Sequence, residues 1–177
     1  RGVVVEYKLV AYLNEKIGEK DSISADDFWE LKYFQCVMME TLRMYAIIPV
    51  VTRECAEDVH IKEANIDIPK NVTLLIPMIV MNKDPELWEN PAEFNPSRFE
   101  NKDSADFTSA KDGFFPFAYG SRTCIGNVFA QVESAIAFIH LLRHFRLSEK
   151  PGFRPKIMAG ISLTTSNGIH VRLERRQ

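Results

Sequence analysis

Cys124 stands two residues before a stretch of about twenty residues with strong helical periodicity, and this pairing does most to limit the folds open to the chain. Within residues 126–145, Val128, Val132, Ala135, Ile139 and Leu142 fall on one helical stripe. Phe129, Ile136 and Phe138 make other faces apolar too, so the spacing predicts a helix buried nearly all round. Cys124 would then lie at the N-terminal end of that helix. Unpaired amides and the helix dipole favour an anion there, and the thiolate is the form of cysteine that ligates metal. Gly120 and Gly126 flank it, where backbone must turn sharply or come close to a flat ligand. Phe117 can cover the sulfur, and Arg122 offers a fixed charge for a carboxylate.

The 177 residues are 46% hydrophobic and 26% charged, which is the composition of an ordinary globular domain. A net charge of -2 gives no reason to expect nucleic acid as a partner. The three cysteines, Cys36, Cys55 and Cys124, form neither a disulfide framework nor a zinc spacing, and suit a reducing compartment. No apolar run reaches the ~18 residues of a membrane helix, and no signal peptide precedes the first helix. His60, His140, His144 and His170 show no ligand spacing; His140 and His144, four apart, read as core or surface side chains.

Residues 3–17 read as a helix stopped by Gly18. Ser24 starts a second helical stretch, with Asp27 completing a capping-box variant, and its periodicity runs to about Tyr45. Residues 59–62, 66–68 and 72–76 read as strands, with Pro69-Lys70-Asn71 as a turn in which Asn71 tolerates a left-handed conformation. Residues 77–81 suit a short helix. Residues 82–117 are rich in Pro, Asn and Asp and read as a long irregular segment. Near the end, residues 161–165 and 169–173 flank Asn167-Gly168, which predicts a hairpin between them. Glu40 and Arg43 lie three apart on a helix whose neighbouring positions are apolar. As buried charges they must pair with each other or with a third group.

The pattern Phe117-x-x-Gly120-x-Arg122-x-Cys124-x-Gly126 resembles the cysteine-loop signature of the cytochromes P450 at every specified position, and Ala130 and Glu133 are also similar to that family. The resemblance extends over nearly the whole chain, most strongly over residues 40–133. It implies a mixed α and β fold, mainly helical, with small antiparallel sheets. Residues 1–177 would form the C-terminal, proximal portion of that fold, incomplete and not self-sufficient. The distal half, the oxygen-side helix and an N-terminal membrane anchor would belong to the remainder. Cys124 would be the axial ligand of haem iron, with Phe117, Gly120, Arg122 and Gly126 around the cofactor and Arg53 anchoring a haem propionate. Glu40, Arg43 and Arg98 would form a structural triad that locks the cysteine loop. Residues 47–52 and 159–165 would line an apolar substrate pocket.

The activity so implied is monooxygenation of a small apolar substrate with O₂, on the cytoplasmic face of the endoplasmic reticulum membrane. Electrons would come from an NADPH-dependent flavin reductase or a ferredoxin-type donor. The alternatives are a truncated, non-catalytic haem-binding fragment and a hydroperoxide-using isomerase or peroxygenase of the same fold. Three positions depart from the family pattern: Ala46 stands for a Pro, Ser97 for a Glu and Asn71 for a turn Gly, and none of them touches the iron.

Overall fold

The computed structural model describes residues 2–18, 20, 23–100 and 113–176. Part of the expected irregular segment, residues 101–112, lies outside the described residues. Helix α1 spans Gly2–Ile17. It stops at Gly18, whose φ of 58° is left-handed and whose N–H donates to the Asn14 carbonyl at 3.0 Å. Helix α2, Ala25–Glu30, opens on a complete capping box. The Asp27 N–H donates to Ser24 Oγ at 3.2 Å, and the Ser24 N–H donates to Asp27 Oδ2 at 2.7 Å.

The expected continuous helix to Tyr45 is interrupted. The chain turns at Leu31 (φ -86°, ψ 62°) and resumes as α3, Lys32–Met44. The break is compensated locally. Leu31 is buried and its N–H donates to Phe28 O at 3.1 Å, and the Gln35 side-chain amide donates to the Phe28 and Trp29 carbonyls at 2.9 and 3.1 Å, bridging the break.

Strand β1, Val51–Glu54, pairs antiparallel with β4, Thr73–Ile76. Between them, β2, Val59–Ile61, pairs with β3, Ile66–Ile68, around Asn65 at φ 51°. Asn71 has φ 66°, the left-handed conformation expected of it. Helix α4 is the short Met78–Met81. Helix α5, Asn127–His144, runs directly into β5, Phe145–Glu149. Strands β6, Ile157–Ala159, and β7, Leu163–Thr165, pair with each other, and β8, Val171–Arg175, pairs with β5. All four sheets are two-stranded and antiparallel among the described residues.

Two further expectations are corrected. The hairpin across Asn167-Gly168 does not form, because the strands on either side have other partners. Residues 163–165 pair backward onto 157–159, and 171–175 pair with the strand leaving α5. Helix α5 is also not buried all round. Ala135, Ile139 and Leu142 are buried against α1 and α2, whereas Val128, Phe129 and Phe138 are more than half exposed. The described elements cover one stripe of the helix and leave its other apolar faces bare.

The main core joins Leu9 and Leu13 of α1, Phe28, Leu31 and Phe34 of the α2–α3 region, and Ala135, Ile139 and Leu142 of α5. Two arginines fasten its rim. Arg143 donates to the Lys20 and Gly18 carbonyls at 2.7 and 2.9 Å, holding the loop after α1. Arg176 donates to Leu142 O and Phe145 O at the end of α5 and pairs with Glu6 of α1 at 2.6 Å. Among the described residues no helix is long and apolar enough to cross a membrane.

The capping box yields an acid-side prediction. The Lys20 ammonium, 2.6 Å from Asp27, and then the Ser24 N–H and hydroxyl lower the Asp27 pKa from 3.8 to about 2. A depressed folded-state pKa means that the contribution of Asp27 to stability is present above the ordinary value of 3.8 and is lost as pH falls through about 2. In an NMR titration, Lys20→Met should move the Asp27 midpoint up toward 3.8; an unmoved midpoint would contradict this cause.

Candidate functional site

The segment around Cys124 is a closed loop rather than a frayed helix end. Phe114 is buried against Trp88 and Phe99 and anchors the start of the segment. The chain then turns at Ala118, with φ 62°, whose N–H donates to Phe115 O at 2.9 Å. Gly120–Arg122 make a single 3-10 turn, with Gly120 at φ 77°. A side chain at Gly120 would meet nothing within 4 Å, so the backbone conformation, not crowding, requires glycine there. Thr123 donates from its N–H and its hydroxyl to Gly120 O, at 3.1 and 2.8 Å. The Cys124 N–H donates to Phe117 O at 2.8 Å and closes the loop. The Asn127 and Ala130 amides then start α5 on the Cys124 and Gly126 carbonyls.

Cys124 is exposed, whereas Cys36 and Cys55 are buried. Burial pushes the Cys36 thiol up to about 11, which keeps it protonated and inert. A Cβ at Gly126 would sit 3.8 Å from Cys124 Sγ, in ordinary contact. Gly126 thus leaves open the space beside the sulfur. Phe117 is half-buried and Arg122 exposed. Arg53 sits on β1 opposite Leu74, half-buried, and donates to its own neighbour's carbonyl, Thr52 O, at 2.8 Å. Neither Arg53 nor Arg122 forms an ion pair with a carboxylate among the described residues. Residues 47–52 and 159–165 meet through Leu163 N–H donating to Ile47 O at 2.7 Å, and Ile47 and Ile161 are exposed.

Glu40, Arg43 and Arg98 do meet. The Glu40 and Arg43 side chains are fully buried and bidentate: Arg43 Nε reaches Glu40 Oε2 at 2.7 Å and Nη2 reaches Oε1 at 2.9 Å. Arg98 Nε approaches Glu40 Oε1 at 3.4 Å. Most of the remaining bonds are to backbone. Arg43 donates to the Asn82, Pro91 and Glu93 carbonyls at 2.7, 3.0 and 3.1 Å, and its guanidinium lies 5.2 Å from the Trp88 ring centre. Glu40 Oε1 also accepts the Asn95 N–H at 2.7 Å, and Arg98 donates to Asn90 O at 2.9 Å. The cluster thus fastens α3 to a segment with little regular structure. Asn82, Pro91, Glu93 and Asn95 were not foreseen from sequence, since they meet Arg43 and Glu40 through backbone atoms, which any residue carries and no side-chain pattern reports.

Comparison with known proteins places the chain among relatives. The family model described as Cytochrome P450 matches residues 5–172. Cytochrome P450 4d2 of Drosophila melanogaster is 35% identical over 175 residues, covering 97% of this chain and 34% of the fly protein. A taurochenodeoxycholic 6 alpha-hydroxylase of Sus scrofa is 33% identical over 159 residues, covering 90% of this chain and 31% of the pig protein. Among solved structures, the crystal structure of a cytochrome P450 (CYP102L1) superimposes with a TM-score of 0.82 at 25% identity, over 98% of this chain and 38% of that one. The chain spans about a third of the length of the curated relatives it matches.

Removing the buried guanidinium should leave a carboxylate without its counter-charge. Arg43→Ala should cost about 3–5 kcal/mol in denaturant unfolding, or prevent folding. Arg43→Lys should rescue little, since an ammonium cannot span Glu40 and three carbonyls at once. Arg98→Ala should cost distinctly less, because Arg98 meets Glu40 at the longer 3.4 Å and is not fully buried.

Proposed function

Because this chain belongs to the cytochrome P450 family, we propose that it is the C-terminal, haem-binding portion of a haem-thiolate monooxygenase in which Cys124 supplies the axial thiolate. The observation that carries this reading is Cys124 itself. It is the exposed cysteine of the three, held by the Cys124–Phe117 backbone bond at the mouth of α5, within a loop that matches the family's pattern.

The residues present fit a haem group chemically. A thiolate at Cys124 is a soft anionic ligand for iron. Arg53 and Arg122, which have no carboxylate partner among the described residues, are suited to the two propionates of a porphyrin. Gly126 keeps the space beside Sγ free, and Ile125, Val128 and Phe129 offer an exposed apolar surface to a flat ring. Phe117, half-buried and joined to Cys124 by a backbone bond, would shield the sulfur from water once haem is bound. When bound, haem supplies the activation of O₂ by which one oxygen atom enters a C–H bond, with the thiolate's electron push favouring O–O cleavage.

This chain's own work is to hold the ligand sulfur, neutralise the carboxylates, exclude water and offer one apolar wall to a small apolar substrate through residues 47–52 and 159–165. Glu40, Arg43 and Arg98 act on none of the reacting atoms; they hold the neighbouring segment in place. Electrons come from an NADPH-dependent flavin reductase or a ferredoxin-type donor. The setting is the cytoplasmic face of the endoplasmic reticulum membrane, a reading supported by resemblance to proteins of animals.

A second reading has an observation in its favour. Apolar side chains around Cys124 stand uncovered, with Ile125 wholly exposed and Phe129 at 71%, and the matched relatives are about three times longer. On that reading residues 1–177 hold haem without turning over substrate, and catalysis belongs to a longer chain.

The test is the absorption spectrum of the haem-loaded protein, reduced and exposed to carbon monoxide. Wild type should show the red-shifted Soret band of thiolate ligation, and Cys124→Ser should lose it. A band indifferent to Cys124 would sink the ligand assignment. A correct band without turnover, given reductase and NADPH, would favour the second reading.

A further inference from the structure

Asn167-Gly168 is the sole Asn-Gly step in the sequence, and the fold does not use it as the hairpin turn that such a step suggests. Its chemistry is distinctive. The backbone nitrogen of a residue following Asn can attack the Asn side-chain amide carbon, and glycine hinders that attack least.

We propose that Asn167 is a conformationally gated deamidation site, held intact by its contacts with residues 154–156 and released when that segment opens. Asn167 Oδ1 accepts the Lys156 N–H at 2.7 Å, and Nδ2 donates to the Arg154 carbonyl at 3.0 Å. Both ends of the amide are therefore fixed, so its carbon cannot swing freely onto the next nitrogen. The neighbouring Ser166 N–H donates to Lys156 O at 2.9 Å and braces the same contact. The potential nucleophile is unencumbered: the Gly168 N–H makes no hydrogen bond among the described residues, and Gly168 is exposed with φ 73°.

Once residues 154–156 move away, the Gly168 nitrogen bonds to Asn167 Cγ and loses its proton to water. The Cγ–Nδ2 bond breaks and ammonia leaves, giving a succinimide. Water then opens the ring to aspartate or isoaspartate. The net change is amide plus water to carboxylate plus ammonium, with no oxidant or reductant.

The product cannot restore the contact, because a carboxylate oxygen would face the Arg154 carbonyl where Nδ2 donated. Residues 154–156 lead directly into β6, whose partner β7 is bonded to Ile47 through Leu163. Deamidation therefore loosens the β6–β7 hairpin. This proposal does not depend on haem binding.

The test uses the whole 177-residue chain, incubated at mildly alkaline pH in buffer and in concentrated urea, with peptide mapping by mass. Modification at Asn167 should be slower in buffer by on the order of tenfold or more. Lys156→Pro, which removes one restraining N–H, should raise the rate in buffer toward the urea rate while circular dichroism stays native. Equal rates in buffer and urea for wild type would overturn the proposal, as would a folded Lys156→Pro protein that deamidates no faster than wild type. If Lys156→Pro fails to fold, Arg154→Pro is no substitute, since it keeps the accepting carbonyl; the buffer-to-urea ratio of wild type then decides.

Discussion

The buried pair of Glu40 and Arg43 is the interaction on which the ordering of residues 82–98 rests. Two charges with no exposure would each cost several kcal/mol to remove from water. That cost is offset by dense hydrogen bonding around both side chains. Arg43 meets both Glu40 oxygens and three carbonyls, and Glu40 also takes the Asn95 amide and Arg98. The partners come from residues 82–98, a segment whose regular structure is limited to one short 3-10 helix, Pro96–Phe99. A segment with so few ladder bonds of its own needs external donors and acceptors to be ordered, and the ion pair supplies them.

From that anchor the order extends to the cysteine loop. Trp88 lies under Arg43 and packs with Phe99 and Phe114, and Phe114 begins the stretch that ends in Cys124. The loop adds its own closure through Phe117 and Gly120, and α5 adds a rigid mount, buried along Ala135, Ile139 and Leu142. At its far end α5 is capped by Arg176, itself held by Glu6. The thiol is thus fixed from both directions while its surroundings stay open. The same helix that is packed on one stripe leaves Val128 and Phe129 bare in its first turn.

Several elements were legible because local rules decide them. The capping box at Ser24, the stop at Gly18 and the left-handed Asn71 depend on side chains within a few residues of the backbone they serve. Two of the three misreadings share a cause. Asn167-Gly168 favours a hairpin locally, but β6 and β5, outside the expected pair, take the strands on either side as partners. Helix α5 has the composition of a fully buried helix, yet periodicity reports which faces are apolar and not which of them find a neighbour in this chain.

The sequence by itself determined the identity of the chemistry-bearing groups: an unpaired cysteine before a long helix, its glycines, and two charges embedded in an apolar stripe. Covalent spacing and side-chain type suffice for that. Only the tertiary structure decided how those groups are held. The partners of Arg43 are carbonyls 39 to 50 residues away, β5 pairs with a strand more than twenty residues on, and Glu6 meets Arg176 across 170 residues. Backbone atoms are the same in every residue, so contacts made through them leave no trace until the chain has folded.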